Sequence, residues 1–104
     1  MRVELLVVPD CVNEDGALRL LRSSLDEVGL GKVSVNVVVI DSQSAAERHR
    51  FVGSPTILID GVDPFAVTDA VPALACRMYP GGQGVPDGRE LRHALKRAAA
   101  ANHG

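Results

Sequence analysis

Aromatic side chains are scarce in this chain of 104 residues: two phenylalanines, one tyrosine and no tryptophan. So few flat rings leave little on which nucleic-acid bases could stack. No basic block compensates, because 11 basic and 13 acidic residues are spread along the sequence for a net charge of −2. Nucleic acid is therefore not an expected partner. Apolar runs are short as well, none approaching the roughly 20 residues of a membrane span, so no membrane partner is expected either. Met1-Arg2-Val3-Glu4 lacks the apolar stretch and the small-residue cleavage site of a secretory signal. The expected location is the cytoplasm, where the two cysteines are held reduced. The histidines, His49, His93 and His103, have no zinc-like spacing with a cysteine. Asp60-Gly61-Val62-Asp63 has too few carboxylates for a calcium loop. No metal site and no cofactor are expected.

What is present is an ordinary globular composition, 46% apolar and 23% charged, in a length that suits one domain over residues 1–104. Residues 3–8 form a short Val/Leu run ended by Pro9-Asp10, the pattern of a strand covered on both faces and central in its sheet. From 12 to 28, Ala17, Leu18, Leu21, Leu25 and Val28 recur at helical steps opposite Arg19, Arg22, Ser23 and Asp26, and Gly29 and Gly31 stop the helix. Asp10 or Asn13 is placed to cap its start. Residues 33–40 are too β-branched to be anything but a strand, alternating at first and then uniformly apolar. A helix between two strands makes them parallel with a right-handed crossover. A second helix is expected over 42–51, with Ser44 and Glu47 at capping-box spacing and Gly53 as its end.

Residues 56–59 read as a third strand, stopped by Asp60-Gly61, and 62–74 have no clean period and carry Pro64 and Pro72, so they form a loop. Residues 75–79, Ala-Cys-Arg-Met-Tyr, read as a fourth strand antiparallel to the third and closed by Pro80-Gly81-Gly82. A last helix follows over 87–101, with Leu91, Leu95 and Ala98 as its apolar stripe. The expected class is α/β with a four-stranded mixed sheet, in the order β-α-β-α-β-β-α. If 75–79 is a regular strand, Arg77 and Tyr79 face away from Cys76 and Met78, lining a cleft or simply an exposed face.

Two features stand in telling places. Cys11, within Val-Pro-Asp-Cys-Val-Asn-Glu14, directly follows the first strand and opens the first helix. Gly53-Ser54-Pro55-Thr56-Ile57 directly precedes the third strand. In these positions the chain resembles the thioredoxin-like superfamily, whose reactive cysteine lies at that junction and whose cis-proline lies against it. Gly81-Gly82 resembles the turn that glutaredoxin-type members use near a bound thiol peptide. The resemblance implies a three-layer α/β/α sandwich, a nucleophilic Cys11, and a cis Pro55 that bares a backbone edge for an extended substrate, lined by Ser54, Pro55, Thr56 and Tyr79.

The physical chemistry of the position agrees, since unpaired N–H groups and the dipole at a helix N-terminus favour an anionic sulfur, the nucleophilic form. Glu14 stands where the family carries its second cysteine. No disulfide can close within that motif, and the Glu14 charge opposes a thiolate beside it. Cys76 is the remaining candidate for a second catalytic thiol, with an inert core thiol as the plainer reading.

Three functions stay open at this stage. The first is thiol–disulfide exchange, or mixed-disulfide formation, by the single Cys11 thiolate with a protein or small-molecule thiol. The second is thiolate chemistry toward soft metals, where Cys11, Glu14 and Cys76 are similar in residue type to the two cysteines and one acid of organomercurial lyases. The third is a non-catalytic binding module, either a monomer or a weak homodimer through its edge strand.

Overall fold

The computed structural model describes residues 1–101. Among them β1 (Val3–Val7), α1 (Glu14–Glu27), β2 (Val35–Val39), α2 (Gln43–His49), β3 (Thr56–Ile59) and α3 (Gly88–Ala101) follow in that order. The sheet is three-stranded, β2-β1-β3. β1 is parallel to β2, as the intervening helix requires, and antiparallel to β3.

The β1 sequence, apolar except for Glu4, follows from its central place. Val3, Leu5 and Val7 point to one face, where they pack with Ala17, Leu21 and Leu25 of α1 and Leu91 and Leu95 of α3. Leu6 points to the other, where Ile40, Phe51 and the Ala45–Ala46 face of α2 cover it. β2 is an edge, and Val37 and Val39 stand 36% and 54% exposed on it. Val35 and Val38 pack against the two cores, while the β-branching of the exposed Val37 and Val39 reflects strand propensity.

The helix ends show local chemistry that spacing alone misassigns. α2 is capped by the Ser42 hydroxyl, which accepts the Ala45 N–H at 3.1 Å, instead of by Ser44. It ends at Arg50, which itself adopts a left-handed φ of 52°, before Gly53 is reached. α1 ends at Gly29, φ 79°, with the Leu30 N–H closing on the Leu25 carbonyl at 2.8 Å.

The expected four-stranded sheet and its β-α-β-α-β-β-α order are corrected to three strands in β-α-β-α-β-α order. Residues 75–79 do not run along β3. The Ser54 N–H donates to the Ala75 carbonyl at 2.8 Å and the Arg77 N–H to the Ser54 carbonyl at 3.0 Å, a single parallel bridge between Ser54 and Cys76 placed ahead of β3. The ladder goes no further because the Tyr79 N–H is diverted to the Gln83 carbonyl at 2.9 Å. Gly81 and Gly82, with φ of 82° and 73°, make that tight return.

Coverage of β1 on both faces makes a direct prediction. Leu5→Ala and Leu6→Ala should each cost about 2–5 kcal/mol, while Val39→Thr on the exposed edge should cost under about 0.5 kcal/mol. Urea unfolding of the three variants measures this. A Leu6→Ala cost as small as that of Val39→Thr would contradict a second covered face.

Candidate functional site

Pro9 and Asp10 turn the chain out of β1, and Asp10 takes a left-handed φ of 58° that short polar side chains tolerate. Cys11 follows, half-buried, two residues ahead of the cap residue Asn13. Its carbonyl accepts the Glu14 N–H at 3.2 Å, and this bond locks the turn onto the start of α1. Asn13 caps by position only, without a side-chain hydrogen bond, and Asp10 does not cap. The Asn13 side chain is instead packed against Gly84, where any Cβ would stand 2.5 Å from Asn13 Nδ2. The glycine-rich return after Tyr79 is therefore seated on the mouth of α1.

The sulfur has one directed partner. Ser54 Oγ donates to Cys11 Sγ at 3.0 Å, across 43 residues of sequence. The Val8 N–H donates to the same Ser54 Oγ at 3.1 Å. The Val8 N–H takes one lone pair of the hydroxyl and leaves its hydrogen free for the sulfur. Ser54 is fully buried and this pair of bonds satisfies it.

The Ser54–Pro55 peptide bond is cis, as the resemblance implies. The backbone edge expected to lie bare beside the sulfur is, however, occupied by residues 75–77, which take both the N–H and the C=O of Ser54. Pro55 and Thr56 are buried. Thr56 Oγ1 donates to the Gly53 carbonyl at 2.6 Å and accepts from Arg77 Nη1 at 3.2 Å.

Arg77 and Tyr79 alternate with Cys76 and Met78, but the faces are reversed from the expectation. Arg77 and Tyr79 are 7% and 3% exposed, whereas Cys76 and Met78 face solvent. Cys76 is thus no core thiol, and the buried Tyr79, with Arg77, forms part of the wall of an open pocket that Phe65, Met78 and Glu90 also line. Burial of Arg77 is possible because Asp63 meets Nη1 at 2.7 Å and the Phe65 carbonyl meets Nη2 at 2.6 Å. The guanidinium carbon also lies 4.7 Å from the centroid of the Tyr79 ring, and the Phe65 ring meets Tyr79 edge-on at 5.7 Å. The Tyr79 hydroxyl donates to the Pro55 carbonyl at 2.6 Å. Burial pushes the Tyr79 phenol from 10.0 up to about 12, with Arg77 pulling it down and Asp63 raising it.

Glu14 contributes its N–H to the turn, and its carboxylate has no hydrogen bond or ion pair among the described residues. Nor do the described residues hold any cluster of three His, Cys, Asp or Glu side chains able to bind a metal. His49 and His93 lie on α2 and α3, and His103 lies outside the described residues. No described helix is long and apolar enough to cross a membrane. Compared with protein-family models, curated proteins and solved structures, the chain matches none. What can be said of its function rests on the residues themselves.

The Arg77 cluster gives two predictions. Tyr79 is the sole tyrosine, so tyrosinate absorbance follows it alone and should rise with a midpoint near 12 rather than 10. Since the folded chain holds the neutral phenol, this contribution to stability is complete below pH 10 and is lost as pH climbs from 10.0 toward about 12. A midpoint at 10 in the folded protein would mean that the ring is not enclosed. Separately, Arg77→Met should cost about 3–5 kcal/mol by stranding Asp63, and Asp63→Leu added to it should restore part of that. Strict additivity in a double-mutant cycle would show the pair to be uncoupled.

Proposed function

We propose that Cys11 is a nucleophilic thiol that exchanges with disulfides, forming a mixed disulfide with a small-molecule or protein thiol. The observation that carries this reading is the Ser54 hydroxyl, oriented by the Val8 N–H and aimed at Cys11 Sγ from 3.0 Å. A donor to sulfur is worth most when the sulfur is charged, which is its reacting form. The resemblance of the Cys11 and Ser54-Pro55 segments to thioredoxin-like proteins supports the same reading. In the reaction the Cys11 thiolate attacks one sulfur of a disulfide, whose S–S bond breaks. The leaving sulfur departs with the electron pair and takes up a proton, and Cys11 keeps the other half in a new S–S bond. Such chemistry belongs to a reducing compartment such as the cytoplasm.

A protein is favoured over a small thiol as the partner, because Val62, Val67, Val71, Leu74 and Met78 expose large apolar surface between residues 62 and 78. The same surface favours a second reading, a binding module that needs no thiol chemistry. Full retention of biological activity by Cys11→Ala would select that reading.

Ser54→Ala tests the first reading. Losing a hydrogen bond to a charged sulfur, worth about 1.5 kcal/mol at the low end, should slow iodoacetamide alkylation of Cys11 about tenfold and leave Cys76 unchanged. Peptide-resolved mass spectrometry separates the two rates. Equal Cys11 rates in wild type and Ser54→Ala would remove the basis of the proposal.

A further inference from the structure

Cys76 lies outside the strand-to-helix junction yet is held beside it. Ser54 faces Cys76 directly in the parallel bridge, with hydrogen bonds of 2.8 and 3.0 Å on either side. Directly paired residues of a ladder sit about 4.8 Å apart and project to the same face. The Ser54 side chain projects onto Cys11 Sγ. A Cβ built at Gly53 would stand 2.8 Å from Arg77 Cβ and 3.1 Å from its Cα, so residue 77 abuts Gly53 directly. As the bridged pair, Ser54 and Cys76 share one face. Cys76 is exposed and Cys11 half-exposed, so both thiols can be reached from solvent. Ser54 stands between them, bonded to Cys11 through its hydroxyl and to the neighbours of Cys76 through its backbone.

We propose that Cys76 is the resolving thiol for Cys11, delivered by residues 75–77 along the Ser54 edge in place of the cysteine that Glu14 replaces. The proposal rests on the reading of Cys11 as nucleophile. Once Cys11 carries half of a substrate disulfide, the Cys76 thiolate attacks Cys11 Sγ. The mixed S–S bond breaks, the substrate sulfur leaves with the electron pair and is protonated, and a Cys11–Cys76 disulfide forms. The substrate disulfide has then gained two electrons and the protein dithiol has lost them. Two equivalents of a small thiol, oxidised to their own disulfide, restore Cys11 and Cys76.

The occupied Ser54 edge gives the step its direction. An incoming chain cannot add as a strand there, so the substrate meets the sulfur from the open side and leaves after resolution without breaking a backbone ladder. The Arg77 and Tyr79 side chains anchor the segment through Asp63, the Phe65 carbonyl and the Pro55 carbonyl, so the approach of Cys76 to Cys11 falls to the two cysteines and the backbone beside them.

Oxidised glutathione, supplied in excess to the full chain, serves as the substrate disulfide, with intact-mass and non-reducing peptide-map readouts over time. Wild type should accumulate an internal Cys11–Cys76 disulfide, and its Cys11–glutathione adduct should be at least about tenfold shorter-lived than in Cys76→Ser, as an intramolecular step allows. Cys76→Ser should stop at the Cys11 adduct, and Cys11→Ser should form no internal bond. An adduct equally persistent in wild type and Cys76→Ser overturns the resolving role and leaves the Cys11 proposal standing. Absence of any Cys11 adduct in Cys76→Ser overturns both. Because Cys76 is solvent-exposed, its substitution is not expected to disturb the fold.

Discussion

The Arg77 guanidinium carries a full charge to a place where it is only 7% exposed, and everything around the candidate site is arranged to make that tolerable. A charge taken out of water costs several kcal/mol unless its donors are met with good geometry. Asp63 supplies the counter-charge, the Phe65 carbonyl and Thr56 Oγ1 take further N–H groups, and the Tyr79 ring lies under the plane. These partners come from the loop after β3, from β3 itself and from the return after residue 75. A single cation thus gathers three stretches of irregular chain that have no ladder of their own. A hydrophobic residue at position 77 could fill the space, but it could not draw Asp63 and the Phe65 carbonyl into fixed positions.

The consequence reaches the sulfur through Ser54. With Arg77 fixed, its N–H stays on the Ser54 carbonyl, and with Tyr79 fixed, its hydroxyl stays on the Pro55 carbonyl. The segment that carries the Ser54 hydroxyl is therefore held from the side opposite Cys11. On the near side the Val8 N–H orients that hydroxyl. The junction of β1 and α1 and the approach to β3 are tied at one oxygen atom, at the cost of burying a serine that would otherwise lack partners.

Much of this scaffold was legible in the sequence, and the parts that were not share a physical reason. α1 and α3 were readable because their apolar residues recur at helical steps, and β1 and β3 because they are short apolar runs bounded by turn residues. Cys11 and Ser54 were readable because they stand at element boundaries. The failure at residues 75–79 came from treating alternation as sufficient evidence for a ladder. Ala-Cys-Arg-Met-Tyr does alternate, but periodicity does not tell which face is inside, and arginine is a poor guess for the buried one. The partner that reverses the guess, Asp63, lies 14 residues away in a stretch without any period. The resemblance implied that the Cys11 and Pro55 segments meet across 43 residues, but not that the Ser54 hydroxyl donates to the sulfur. Ser44 looked like the cap of α2 because its spacing to Glu47 fits a known pattern, whereas Ser42 needs only its own hydroxyl and the Ala45 N–H.

Glu14 leaves the first turn of α1 without a second thiol, and the site proposed for one at residue 76 differs in kind. A cysteine one turn into a helix is held by the helix ladder and can meet the first sulfur only by a change in side-chain rotamer. Residue 76 is held on its own edge by the two bonds from its neighbours to Ser54. Releasing both would leave the N–H and C=O of the fully buried Ser54 unpaired, at about 1–3 kcal/mol for each group, so the backbone of 75–77 stays seated at rest. The Arg77 and Tyr79 side chains hold the same segment from its other side. On the resolving proposal, Cys11 stays bonded to Ser54 at rest, and Cys76 would reach it from this seat only once Cys11 has been modified.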